Sequence, residues 1–219
     1  MSAGRGAKSW LINSGLGQEK SVSEASPSEV PRVNVLGVGI SALNMNTALE
    51  QVLEGAAKPG FAGYVTVSGV HGVMESSRDP ELRRIHNRSY LSTPDGMPMV
   101  WVAKWNGQSE VERVYGPDLM LEVVEATAAT GRTHYFWGGN EGVAEELAER
   151  MEERFPGTEV AGTCCPPFRP LTDAEEKELV GQLKERRPHF LWVGLSTPKQ
   201  ERFMHDLLSR NPDLCEGWD

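Results

Sequence analysis

Asp95 is the residue best placed for acid–base chemistry in this sequence. It lies in Thr93-Pro94-Asp95-Gly96-Met97-Pro98-Met99-Val100-Trp101. Proline pre-sets φ at one turn position there, and glycine accepts a positive φ at another. Such a turn presents the carboxylate from a stiff backbone beside apolar segments able to wall a cleft, which suits a general base. The same residues also fit an Asp that only hydrogen-bonds its own turn. Arg113, near an apolar segment, can grip a phosphate with two guanidinium arms, or stand as a solvated arginine. Lys199 and Gln200 lie in the loop between an apolar strand and the last helix, a position suited to binding a diphosphate or sugar, or to capping. Gly138-Gly139-Asn140-Glu141-Gly142 lets the backbone approach a ligand at a helix N-terminus, where free N–H groups and the dipole favour phosphate. The competing reading is a tight strand–helix turn, and Glu141 leaves a nucleoside as good a fit as a phosphate. Gly37-Val38-Gly39-Ile40-Ser41-Ala42 matches the GxGxxA dinucleotide fingerprint, but the second strand ends in Ser68-Gly69-Val70-His71 without the acidic residue that reading needs. No HExxH, DxD or CxxC pattern occurs, so neither a metal site nor a cofactor is expected.

The elements that must hold these residues alternate in type. Strands are expected over 32–40, 63–70, 99–102, 133–137, 159–162 and 189–195, from their β-branched and apolar runs. Helices are expected over 44–55, 73–87, 119–130, 143–155, 172–186 and from the end of the 196–201 loop to about 210. Asp79-Pro80 is suited to start a second helical piece, and Thr172 with Glu175 fits a capping box. This alternation predicts a doubly wound, Rossmann-like α/β domain with a mostly parallel sheet. Ligands bind such sheets beyond the carboxyl ends of the strands, which singles out residues 68–71, 113–118, 138–142 and 196–201.

Composition narrows the function classes. The chain has 219 residues, enough for one sizeable domain, and residues 1–31 are Ser-, Gly- and Glu-rich and expected to form a disordered tail ahead of a domain over 32–219. A net charge of -9 argues against nucleic acid as a partner. Three cysteines, two of them adjacent, make no disulfide framework, and the default compartment is a reducing cytoplasm. No run of about 18 apolar residues occurs, so no membrane-spanning helix is expected.

Taken in order, Asp95-Gly96-Met97-Pro98 with Trp101, Glu112-Arg113-Val114-Tyr115-Gly116-Pro117-Asp118-Leu119, Trp137-Gly138-Gly139 and Gly194-Leu195-Ser196-Thr197-Pro198-Lys199-Gln200-Glu201 closely resemble the bacterial WecG/TagA/CpsF glycosyltransferases, from about Val33 to Leu208. The resemblance implies a metal-independent, inverting transfer of an N-acetylmannosamine-type sugar from a UDP-sugar. The implied acceptor is an undecaprenyl-diphosphate-linked sugar, in cell-surface polysaccharide or teichoic-acid linkage synthesis. By position, Asp95 resembles the catalytic base. Arg113 and Gln200 resemble the groups that stabilise the departing diphosphate or orient substrate. Thr66 and Ser68 stand where the family places a Thr and an Asn, with Ser68 departing from that pattern. Gly138 and Gly139 would face the nucleotide. The resemblance also suggests peripheral contact with the inner face of the membrane and self-association. A further glycine-rich strand and a basic appendage are expected after the last helix, so the chain reads as truncated. The rival reading is a non-catalytic chain that binds nucleotide or oligomerises.

Overall fold

The computed structural model describes residues 30–218. The tail expected over 1–31 falls outside these residues except at its last two positions. Folded structure opens with β1 (Arg32–Val35) and β2 (Val38–Ser41), an antiparallel hairpin where one continuous strand was expected. Leu36 and Gly37 turn the chain with φ of 53° and 92°, and the Asn34 carboxamide accepts from the Gly37 N–H. The GxGxxA run therefore crosses a hairpin and does not lead from a strand into a helix, which removes the structural context of a dinucleotide site.

α1 (Met45–Ala56) starts at the Asn44 cap, and β3 (Val65–Ser68) follows. α2 (Val70–Arg78) and α3 (Pro80–Arg88) divide at Asp79, whose carboxylate accepts from the N–H groups of Glu81 and Leu82. β4 (Leu91–Pro94) comes next and was not expected, because Ser92 and Thr93 read as polar although both are fully buried. The strand expected over 99–102 is instead α4 (Met97–Trp105). Gly96, at φ 92°, and Pro98 in the first turn start a helix. Met99, Val100 and Ala103, at helical spacing, bury one face against the hairpin's Val33, Val35, Val38 and Ile40.

α5 (Gly116–Thr127), β5 (Thr133–Gly138), α6 (Val143–Arg154), β6 (Glu159–Cys164), α7 (Asp173–Arg186), β7 (Phe190–Gly194) and α8 (Lys199–Arg210) complete the chain. The α/β class and parallel pairing are as expected, and the Thr172–Glu175 capping box is present. The strands are distributed over three sheets: the hairpin, a β3–β4 pair, and β6–β5–β7. The hairpin lies against β4, where the Ser92 N–H donates to the Ser41 hydroxyl at 3.0 Å.

Two buried histidines tie the layers together. The Trp192 indole N–H donates to His134 Nδ1 at 3.1 Å, and indole can only donate. The proton of neutral His134 therefore sits on Nε2 and is given to the Thr127 hydroxyl at 3.0 Å, whose own proton goes to the Val123 carbonyl. Burial pulls His134 down to about 4, with His189 adding to the effect, and burial alone pulls His86 to about 4. Above pH 6.5 both are neutral whether the chain is folded or not, and their contribution is fully present. As pH falls from 6.5 toward 4 only the unfolded chain takes up the protons, so stability declines by about 1.4 kcal/mol per pH unit for each histidine. Denaturant unfolding between pH 6.5 and 5.5, where the unfolded histidines are still completing their protonation, should show a loss of about 1 kcal/mol for each of the two, and a smaller total loss in His134→Gln. A flat profile across that window would contradict the buried neutral assignment.

Candidate functional site

Asp95 leaves the carboxyl end of β4. Its N–H donates to the Ser68 carbonyl at the end of β3, at 3.1 Å, so neighbouring strand ends hold its backbone. The extended segment before α5 is fastened to the same place, the Val114 N–H donating to the Pro94 carbonyl at 2.9 Å. That puts Arg113 Nε 3.3 Å from Asp95 Oδ1, with the guanidinium over the Tyr115 ring at 4.6 Å. The two side chains are 48% and 28% exposed, so the ion pair orients more than it stabilises.

The opposite wall comes from β5, β7 and α8. Gly138 sits at φ 134° against Gly194 on β7, and a Cβ at Gly138 would collide with the Gly194 carbonyl, which also accepts from the Gly139 N–H at 3.1 Å. Only glycine permits this approach. At the start of α8 the Thr197 hydroxyl donates to Glu201 Oε1 at 2.8 Å. Glu201 is fully buried, and its Oε2 has no partner. Burial raises its pKa, opposed by the Thr197 hydroxyl, so the carboxyl is pushed toward its neutral form.

A cleft of about 720 Å³ runs between the walls, lined by Asp95, Tyr115, Gly138, Gly139, Thr197 and Gln200 among others. Residues of the first turns of α5, α6 and α8 also line it: Gly116 and Pro117, Val143 and Ala144, and Gln200. Three helix N-termini thus border one space, and their positive dipole ends suit it to a diphosphate.

Of the residues singled out from the sequence, Asp95, Gly138, Gly139 and Gln200 meet in this cleft, and Arg113 joins through its bond to Asp95. Arg113 does not itself line it, and neither do Thr66, Ser68 and Lys199. Thr66 and Ser68 are buried between β3 and β4, Ser68 Oγ lying 3.1 Å from His86 Nδ1 and 2.7 Å from Ser92 Oγ, and Thr66 Oγ1 3.4 Å from Ser68 Oγ. They support the strand from which Asp95 is presented. Lys199 is exposed and turns its ammonium onto the Phe168 ring at 4.3 Å. Tyr115, Thr197 and Glu201 were not singled out as site residues. The i,i+4 spacing of Thr197 and Glu201 across a helix start was the available signal for that pair. Among the described residues, no helix is long and apolar enough to cross a membrane.

The family described as Glycosyl transferase WecG/TagA/CpsF matches residues 33–215. A Bacillus spizizenii protein named N-acetylglucosaminyldiphosphoundecaprenol N-acetyl-beta-D-mannosaminyltransferase is 26% identical over 131 residues, 60% of this chain and 49% of that protein. A Staphylococcus aureus protein of the same name is 22% identical over 179 residues, 81% of this chain and 68% of that protein. The chain thus spans about half the length of the Bacillus relative.

A fully buried Glu201 whose carboxyl is pushed toward its neutral form has a direct consequence. Glu201→Gln, which keeps an acceptor for Thr197, should unfold within about 1 kcal/mol of the parent, whereas Glu201→Ala should cost about 2–3 kcal/mol in urea titrations. Equal losses in both variants would show that charge, and not the hydrogen bond to Thr197, holds this loop.

Proposed function

This chain belongs to the WecG/TagA/CpsF glycosyltransferase family, and from that premise we propose that it transfers an N-acetylmannosamine-type sugar from a UDP-sugar to a lipid-diphosphate-linked acceptor. The observation that carries the reading is the convergence of a carboxylate, Asp95, and three helix N-termini on one cleft. The names of the two relatives include both the N-acetylmannosaminyl group and an N-acetylglucosaminyl-diphosphoundecaprenol acceptor, and they supply the substrate class.

In this proposal Asp95 takes the proton of the acceptor hydroxyl. The freed oxygen attacks the anomeric carbon as the bond from that carbon to the diphosphate oxygen breaks, and its electron pair leaves with the UDP. One displacement inverts the configuration. The charge growing on the diphosphate is met by the Gln200 side chain, by Arg113 and by the helix N-termini, so fixed donors stabilise the leaving group without a metal. Arg113 also holds the Asp95 carboxylate in one orientation. The two glycines admit the nucleotide close to the β5 and β7 main chain. A membrane-bound acceptor calls for peripheral contact with the lipid surface, which needs no spanning helix.

Transfer from UDP-N-acetylmannosamine to an N-acetylglucosaminyl-diphosphate lipid analogue should fall by about 10²–10⁴ in Asp95→Ala. UDP affinity by calorimetry should stay within about threefold of the parent, because the base does not contact the uridine in this reading. Joint loss of transfer and of UDP binding would remove Asp95 from the role of base. No turnover by the parent chain with intact UDP binding would favour a non-catalytic, nucleotide-binding chain.

Rates should be unchanged in excess chelator, since fixed donors carry the charge. A large drop there, restored by one divalent cation, would overturn the metal-free mechanism.

A further inference from the structure

Phe168, on the loop between β6 and α7, is 93% exposed and belongs to none of the apolar cores. The loop that carries it is stiff. Pro166, Pro167 and Pro170 fix their own φ angles. The Arg169 N–H donates to the Pro167 carbonyl at 2.7 Å, which closes a short turn with Phe168 at its apex. The Arg169 guanidinium grips the Glu175 carboxylate with two bonds, at 2.7 and 2.8 Å, and so fastens the turn to the start of α7. An aromatic ring held outward by this much structure, and buried in no core, is preorganised for a partner.

Two contacts put the ring at the rim of the cleft. The Cys165 thiol donates to the Gly139 carbonyl at 3.4 Å, which ties the loop to the glycine turn that lines the cleft. The ammonium of Lys199, the neighbour of Gln200, lies over the ring. Strand order gives the direction. β7, β5 and β6 lie side by side and parallel, and the β3–β4 pair is on the β7 side, where Phe190 and Trp192 share a core with Val65 and Leu91. Moving away from Asp95, the carboxyl ends of β7, β5 and β6 follow in that order. In the proposed reaction the transferred sugar lies beside Asp95, and the diphosphate beside the glycine turn and the starts of α6 and α8. Whatever the far end of the diphosphate carries then runs over the end of β6, to Phe168. In parallel α/β sheets the strand that follows a glycine-rich phosphate turn meets the nucleoside at that place.

We infer that Phe168 is the stacking platform for the nucleobase of the donor, an inference that rests on the nucleotide-sugar reading of the cleft. A base offers a flat π face and stacks on an aromatic ring without needing hydrogen-bond partners, so a single outward ring serves. Lys199 stays over one face of the ring and the base takes the other. The transferred sugar is not the occupant, because it must stay within reach of Asp95 at the opposite end of the diphosphate. A lipid surface is a poor fit too, since the ring stands among the charged side chains of Arg169, Glu175 and Lys199 and not in an apolar patch.

Calorimetry on the full chain tests this. Phe168→Ala should weaken UDP binding by about 5- to 150-fold, the usual loss when one stacking ring is removed. Phe168→Tyr, which keeps the ring, should stay within about threefold of the parent. Inorganic pyrophosphate, which carries the charge without a base, should bind the parent and Phe168→Ala equally well. Because the ring is exposed, both variants should melt at the temperature of the parent. Unchanged UDP affinity in Phe168→Ala would overturn the platform and leave the transferase reading standing. An equal loss of UDP and pyrophosphate binding would do the same, since it would mark a loop that only supports the diphosphate site. A loss confined to binding of phosphatidylglycerol vesicles would replace the platform with a membrane contact. A parent chain that binds no UDP would remove the nucleotide-sugar reading and the platform together.

Discussion

Main-chain hydrogen bonds at the carboxyl ends of β3 and β4 are what the rest of the site depends on. The Asp95 N–H is held by the Ser68 carbonyl and the Val114 N–H by the Pro94 carbonyl. These two bonds bring the turn after β4 and the segment before α5 to one point. The contact of Arg113 with Asp95 follows from them. A partly exposed ion pair is worth at most about 1 kcal/mol and could not position its own backbone. Geometry held by backbone on strand ends is more exact than geometry held by long side chains, which is what a proton-transferring carboxylate needs.

Behind that point lies a layer of buried hydroxyls. Thr66, Ser68, Ser89 and Ser92 are fully buried and linked to one another and to His86. Apolar residues would fill the same volume, but hydroxyl pairs across a parallel ladder also fix its register, since a one-residue slip would strand each oxygen among apolar neighbours. Register matters here because β4 ends in Pro94 and a slip of one residue would turn Asp95 to the other face. The polar character of these strands therefore serves the position of the carboxylate, even though Thr66 and Ser68 do not line the cleft.

Elements whose local signals agreed were legible in the sequence. Asp79-Pro80, the Thr172–Glu175 box and the apolar run of β7 each combined propensity with a start or stop signal, and each appears in the structure. The misreadings came from tertiary context. The run Met99-Val100-Trp101-Val102 has strand-forming residues, yet the Gly96 turn and Pro98 set the chain into a helix that covers the hairpin. β4 hid because a strand buried on both faces was expected to be apolar, and this one satisfies its hydroxyls internally. In the site, Gln200 and the glycine pair were visible as residues whose type matched a strand-end position, whereas Asp95 stood out only from its Pro-Asp-Gly turn, the strand it follows being unforeseen. The packing of Lys199 on Phe168 was not, because which way an exposed side chain turns at a helix start depends on a partner distant in sequence.

The two walls of the cleft divide the proposed chemistry between them. The proton acceptor stands on the β3–β4 side, and the donors for the leaving diphosphate stand largely on the β5–β7–α8 side. Displacement at an anomeric carbon needs acceptor oxygen and leaving oxygen in line, with the sugar between them. An error of about 1 Å in that spacing can cost a factor on the order of 10² in rate. Yet between β3 and β7 no strand pairing fixes the distance; the walls are joined through helices and loops. What ties the walls is side-chain packing and charge: Phe190 and Trp192 of β7 share one core with Tyr90, Leu91 and Val65, and Arg202 of α8 pairs with Asp79 and Glu81 at the start of α3. In the proposed reaction these contacts set the separation of base and anion site, so a substitution in them would act on the spacing without touching either group.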